Sequence, residues 1–95
     1  MDRLVLAITA AHADELLDGA RDSHHRTMPP TKLPVKAYLA VVGTATVVGE
    51  CMLAERDGRT KDGWRLPVTN AKRYRKPKPI TDYGLAKIPR SFRYL

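Results

Sequence analysis

Between Gly19 and Arg26 the chain reads GARDSHHR, which sets two histidines between two arginines within eight residues. Guanidinium groups hold phosphate or a base edge through paired N–H donors, and an imidazole can donate, accept, stack or carry a proton. The run therefore supports two kinds of chemistry: binding of an anionic or heterocyclic ligand by Arg21 and Arg26, and acid–base work centred on His24. An unperturbed imidazole, titrating near about pH 6.5, suits the second task. Pairing His24 with His25 or His12 would permit metal-independent RNA cleavage, one ring taking the ribose 2′-OH proton and another donating to the leaving oxygen. Adjacent residues usually point apart, so His24 and His25 do not easily share one substrate atom. The plain alternative is a solvated connection between two pieces of core.

Other chemistries find less support. Three histidines and one cysteine do not make the closed four-ligand pattern of structural zinc, so neither metal nor cofactor is expected. Cys51 sits in the apolar run TVVGECML without a disulfide partner and reads as a small buried hydrophobe. Ser23 and Ser91 lack the context of an activated nucleophile.

The charge is uneven along the chain. Residues 1–55 hold 5 Lys/Arg against 7 Asp/Glu, whereas residues 56–95 hold 12 against 3. A basic half of this density favours a polyanion, and single-stranded nucleic acid such as RNA is the expected partner, bound largely through its phosphates. NAKRYRKPKP (70–79) concentrates this charge: Arg73, Arg75, Lys76 and Lys78 could follow a phosphate backbone while Tyr74, with charged neighbours, stacks on a base. Trp64, Tyr83, Phe92 and Tyr94 read instead as core or barrel-closing aromatics. An acidic protein partner is the competing expectation, as would suit a small accessory or phage-encoded protein. No apolar run approaches the roughly 20 residues that span a bilayer, and the first residues lack a basic n-region with a cleavage site. A cytoplasmic protein, monomeric or a small homo-oligomer and without a membrane partner, is expected.

The elements that must position these groups are short. With 95 residues, one domain over 1–95 is expected. RLVLAIT (3–9) suits a buried strand; Thr9 offers an N-cap, AAHADELLD follows as a helix with Ala13, Leu16 and Leu17 inward, and Gly19 ends it. TMPPTKLP (27–34) is too proline-rich for regular structure and should run extended over the surface. VKAYLAVV (35–42) and ATVVGECMLAE (45–55) are the clearest strands and form a hairpin across Gly43-Thr44, with Gly49 marking a bulge or a close backbone approach. ERDGRTKDGW reads as a polar loop, WRLPV as a brief strand that Pro67 confines to an edge, and SFRYL as a last strand. The outline is α+β: a small β-barrel of about five to six strands with one N-terminal helix packed against it.

That outline, with particular residues, resembles the ASCH family of the PUA-like superfamily, small barrels associated with RNA and modified nucleosides. The family signature is a helix followed by G-x-K-x-x-E-x-R, and Gly19 to Arg26 fill its eight places: Gly19 and Arg26 match, Arg21 keeps the lysine's charge, and His24 replaces an acidic or polar residue. AYLAVVGTATVVGE resembles the family's strand pair, and the tail resembles Y-x-x-P-x-P-(I/L) followed by P-x-S-(F/W). The resemblance implies that Arg21, His24 and Arg26 face a cleft, with Glu50 as a carboxylate on its floor. Some family members resemble amidohydrolases acting on N4-acetylcytidine and others have been proposed as ribonucleases. With Arg21 in the lysine's place the amidohydrolase base is missing, because arginine stays protonated. Any catalysis would then pass to His24, with Arg21 in an electrostatic role and Glu50 beside it. The expectation is a nucleic-acid-binding domain, with a hydrolase of the same fold as the alternative.

Overall fold

The computed structural model describes residues 2–95. Strand β1 (Arg3–Ile8) is the buried run, with Leu4, Val5 and Leu6 fully enclosed. Helix α1 (Ala10–Leu17) follows at once, capped by Thr9, whose Oγ1 accepts from the His12 N–H at 3.3 Å. It stops where Gly19 takes φ +80°, a left-handed conformation that glycine adopts without strain. Strands β2 (Ser23–Arg26), β3 (Val35–Val41), β4 (Thr46–Leu53), β5 (Gly58–Thr60) and β6 (Gly63–Pro79) come next, then a 3-10 turn (Ile80–Tyr83) and β7 (Phe92–Tyr94).

The strands form one curled sheet in the order β2-β6-β4-β3-β1-β7, with β5 also on β6. β1 and β3 run parallel, and the pairs β3–β4 and β4–β6 are antiparallel. Both faces of the centre are covered, which is why β1 and β3 are almost continuously apolar. Leu4, Leu6, Ala37, Leu39 and Cys51 point into a core closed by Ala13 and Leu16 of α1. Val5, Tyr38, Ala40 and Val47 point the other way, against Ile80 and Leu85. The Cys51 thiol is 1% exposed, and burial, with a smaller contribution from Glu50, pushes its pKa up to about 12, so it is inert at neutral pH.

Gly49 meets both expectations placed on it. The β4–β6 register shifts beside it, and a Cβ there would lie 2.5 Å from the Lys72 carbonyl oxygen and 2.9 Å from a Leu17 methyl. Three segments differ from the sequence reading. SHHR is a strand paired with β6, and ERDGRTKDGW contributes β5 of a hairpin. WRLPV is no edge strand: it opens the 17-residue β6, flanked by β2 and β4. Proline is tolerated there because N–H and C=O of one strand residue point to the same side. The Pro67 carbonyl accepts from the Ala54 N–H at 2.9 Å, so the missing donor faces the chain just beyond the end of β4. Farther along β6, Asn70 (φ +53°) sits where the ladder shifts register between Glu50 and Met52.

On the second face a polar chain fastens β6 to the sheet. Tyr83 Oη donates to Tyr74 Oη at 3.3 Å, Tyr74 Oη donates to Glu50 Oε1 at 2.9 Å, and Lys36 Nζ reaches Glu50 Oε2 at 2.8 Å. Partial burial alone would raise the Glu50 pKa; the Lys36 and Tyr74 hydrogen bonds, with the charges of Lys36 and Lys72, outweigh it and hold the carboxyl below its ordinary value. Tyr74→Phe removes a donor to a charged acceptor and is expected to cost about 1 kcal/mol in urea unfolding at neutral pH.

Candidate nucleic-acid interface

Helix α1, strand β2 and the β5–β6 hairpin enclose a cavity of about 370 Å³ lined by His12, Leu16, Arg21, His24, His25 and Asp62. His12 and Leu16 are one helical turn apart and share a face of α1. Arg21 follows the helix and is held back against it, with Nε 2.9 Å from Glu15 Oε2 and its N–H on the Glu15 carbonyl at 3.0 Å. A second, more open cavity of about 440 Å³ adjoins the first and is lined by His25, Arg26, Thr27, Met28, Asp62 and Ser91. His25 and Asp62 belong to both, so the two form one groove along β2.

Arg26 organises the groove. Its guanidinium donates to Ser91 Oγ, lies 5.5 Å from the centre of the Phe92 ring, and brings Nη1 to 3.4 Å from His24 Nε2. Arginine has only donors, so Nε2 is the acceptor and the ring proton of His24 resides on Nδ1. Burial lowers the His24 pKa to about 4, helped by Arg26, His12, His25 and Arg21 in that order. The acid–base role expected of an imidazole titrating near neutrality is therefore not what this environment favours. His24 is uncharged in the physiological range, a poor proton donor to a leaving group and a good hydrogen-bond partner for an uncharged polar edge.

The groove thus gathers Arg21 and His24 in the first cavity and Arg26 in the second. Glu50 is elsewhere. Its cross-strand partner Tyr38 packs into the second core, and the carboxylate is bound to Lys36 and Tyr74 on that face. Side chains alternate along β4, so Glu50 points away from the side on which Cys51 and α1 pack and lines neither cavity. Tyr74 is also not the free stacking residue its charged neighbours suggested: its hydroxyl is anchored to Glu50 and its ring packs on the second core, with Lys78 Nζ 4.6 Å from the ring centre. Arg73 is engaged by α1, its Nη2 lying 3.0 Å from Asp14 and 3.1 Å from Asp18. Arg75, Lys76 and Lys78 are exposed and, among the described residues, make no ion pair.

Thr27, Met28, Asp62 and Ser91 line the groove without having been read from the sequence as site residues. Asp62 is carried in by the hairpin turn, and its only signal was the Asp-Gly pair that marks such a turn. Ser91 arrives through β7, its carbonyl accepting from the Ala7 N–H at 2.8 Å. Among the described residues, no three His, Cys, Asp or Glu side chains are grouped so as to hold a metal ion, and no helix is long and apolar enough to cross a membrane.

The curled sheet carrying one helix is a small α+β barrel, and its fold is similar to that of solved ASCH structures. The crystal structure of the ASCH protein from Zymomonas mobilis matches with a TM-score of 0.78 at 12% identity, over 98% of this chain and 87% of that one. A tyrosine-to-phenylalanine variant of the same protein matches at 0.78 and 12%, over 100% and 91%, and a serine-to-alanine variant at 0.76 and 11%, over 98% and 87%. The likeness is one of fold. No protein-family model and no curated protein matches the sequence.

Proposed function

We propose that this protein binds RNA or another single-stranded nucleic acid, with a base in the groove beside β2 and phosphates on the basic residues of the C-terminal half. The observation that carries this reading is the His24 imidazole beside Arg21 in a cavity of small-ligand size, with Arg26, whose Nη1 is 3.4 Å from His24 Nε2, lining the cavity that adjoins it. His24 Nδ1–H can donate to a base edge, and the guanidiniums can take phosphate or carbonyl oxygens. Arg75, Lys76 and Lys78, which pair with no carboxylate among the described residues, are the residues of the basic segment suited to phosphate; they add affinity without sequence preference. A hydrolytic role for the same groove has one observation in its favour, the presence of His12, His25 and Asp62 in a single cavity.

Fluorescence anisotropy with a labelled single-stranded RNA across a salt series tests the reading. Log affinity should fall linearly with log salt, and Arg75→Ala with Lys76→Ala should reduce the slope by about 1.4. His24→Ala should weaken binding about tenfold, close to one hydrogen bond made in a sheltered site. Absence of binding at low salt would overturn the proposal. Loss of RNA integrity during the titration, abolished by His25→Ala, would move it to the hydrolytic form. A co-purifying acidic protein without nuclease-sensitive material would replace it with the protein-partner alternative.

A further inference from the structure

The β5–β6 hairpin carries a second cluster that the groove does not use. In register, Arg26 of β2 lies opposite Trp64 of β6, and Trp64 lies opposite Arg59 of β5. Cross-strand partners project from the same face, so these three side chains form one row across the strands. Arg56 joins it from the chain before β5. Its guanidinium carbon is 4.9 Å from the centre of the Trp64 ring, and that of Arg59 is 5.5 Å from it. Trp64 is partly buried, while Arg56 and Arg59 are exposed. Among the described residues neither makes an ion pair, unlike Arg65 beside them, which reaches Asp57 at 2.5 Å and Asp22 at 3.5 Å.

Two further facts connect this cluster to the groove. Arg26, the first member of the row, lines the second cavity, and Asp62, in the turn of the same hairpin, lines both. The turn is braced from within, the Asp62 N–H donating to Thr60 Oγ1 at 3.2 Å and Thr60 Oγ1 donating to the Gly63 carbonyl at 3.4 Å. A guanidinium over an indole keeps its N–H edge free for phosphate. The indole becomes a platform on which any base can stack when an exposed arginine swings from the ring to a phosphate. A free phosphate would use the arginines and leave the indole idle, whereas a strand leaving the groove past Arg26 would use both.

We infer that Arg56, Arg59 and Trp64 form a stacking and phosphate site for the nucleotide adjoining the one held in the groove, extending the interface from β2 across the β5–β6 hairpin. This rests on the nucleic-acid reading of the groove and assigns the strand's path from it. Trp64 is the only tryptophan in the sequence, so its emission reports this site directly.

The experiment titrates the full chain with an eight-nucleotide oligouridylate, following Trp64 emission and, separately, the anisotropy of the same oligomer carrying a dye. Saturable quenching of Trp64 in step with the anisotropy is expected. Arg56→Ala with Arg59→Ala should weaken binding about tenfold and lower the salt slope by about 1.4, roughly 0.7 for each phosphate of a single strand no longer neutralised. Trp64→Ala should weaken binding about tenfold at unchanged slope, since it removes stacking without charge. Arg56→Lys with Arg59→Lys keeps the charge and the fold and should retain most of the slope. Binding seen by anisotropy with Trp64 emission unmoved, and with affinity indifferent to the arginine pair, would overturn this inference while leaving the groove reading intact. Equal quenching by inorganic phosphate alone would reduce the cluster to an anion site and overturn the stacking claim. No binding by either signal at low salt would overturn the groove reading and this inference with it.

Discussion

Gly63→Ala is expected to lower the unfolding free energy by roughly 3 kcal/mol and to weaken RNA binding with it. Gly63 has φ +115°, a region that side-chain-bearing residues rarely enter, and an added Cβ would lie 2.5 Å from both the carbonyl carbon and oxygen of Arg26 and 2.7 Å from the Thr27 nitrogen. All three are backbone atoms, so no rotamer change relieves the overlap. The strands must part where Arg26 faces Trp64, which moves Arg26 in the second cavity and swings Asp62 out of both. Gly58 is the internal control, since it lies on the other strand of the same hairpin with nothing within 4 Å of an added Cβ. Gly58→Ala should change stability by no more than about 0.5 kcal/mol. Urea unfolding of the two variants separates the effects, and equal losses would show that general hairpin propensity, not the close approach to β2, is responsible.

The contrast between these glycines marks how much of the fold the sequence displayed. β1, α1, β3 and β4 were legible because their signals are local: an apolar run, a Thr9 cap with Gly19 beyond, and two β-branched stretches around Gly43. β6 was legible only at its start, where WRLPV reads as a strand. Beyond Val68, two prolines and five cations within 70–79 give no local strand signal, and the segment is extended because β4 pairs along it while β2 and β5 pair on opposite sides of its start. The site divides in the same way. Arg21, His24 and Arg26 are close in sequence, so their convergence could be read from a helix stop followed by a short polar run. Asp62 and Ser91 reach the groove through pairings made far along the chain. The fate of individual charges was equally hidden: Arg73 looked free until the helix presented Asp14 and Asp18, four residues apart on one face, to receive it.

Acidification should cost this protein stability through His24. Its folded pKa, about 4, lies below the ordinary value of 6.5, because burial and the neighbouring cations disfavour the imidazolium. Between those values the unfolded chain binds a proton that the folded chain refuses, so stability rises with pH across this window and is fully present above pH 6.5. The whole window corresponds to an upper bound of about 3 kcal/mol, lost progressively as pH falls toward 4. Glu50 acts in the same direction at lower pH, since its carboxyl is held below the ordinary range by Lys36 and Tyr74 and its contribution disappears only once it is protonated. The two are separable by substitution. His24→Gln keeps a polar group at the site but cannot titrate, and its urea midpoint should be markedly flatter than that of the parent between about pH 6.5 and 4.5, while the steeper fall below about pH 4.5 remains in both. An identical slope in parent and variant would show that His24 titrates normally. Binding carries an independent signature of the same shift. A histidine of ordinary pKa would gain charge below about pH 6.5 and strengthen phosphate binding there, whereas an uncharged His24 that hydrogen-bonds a base leaves its contribution to affinity constant from about pH 5.5 to 8.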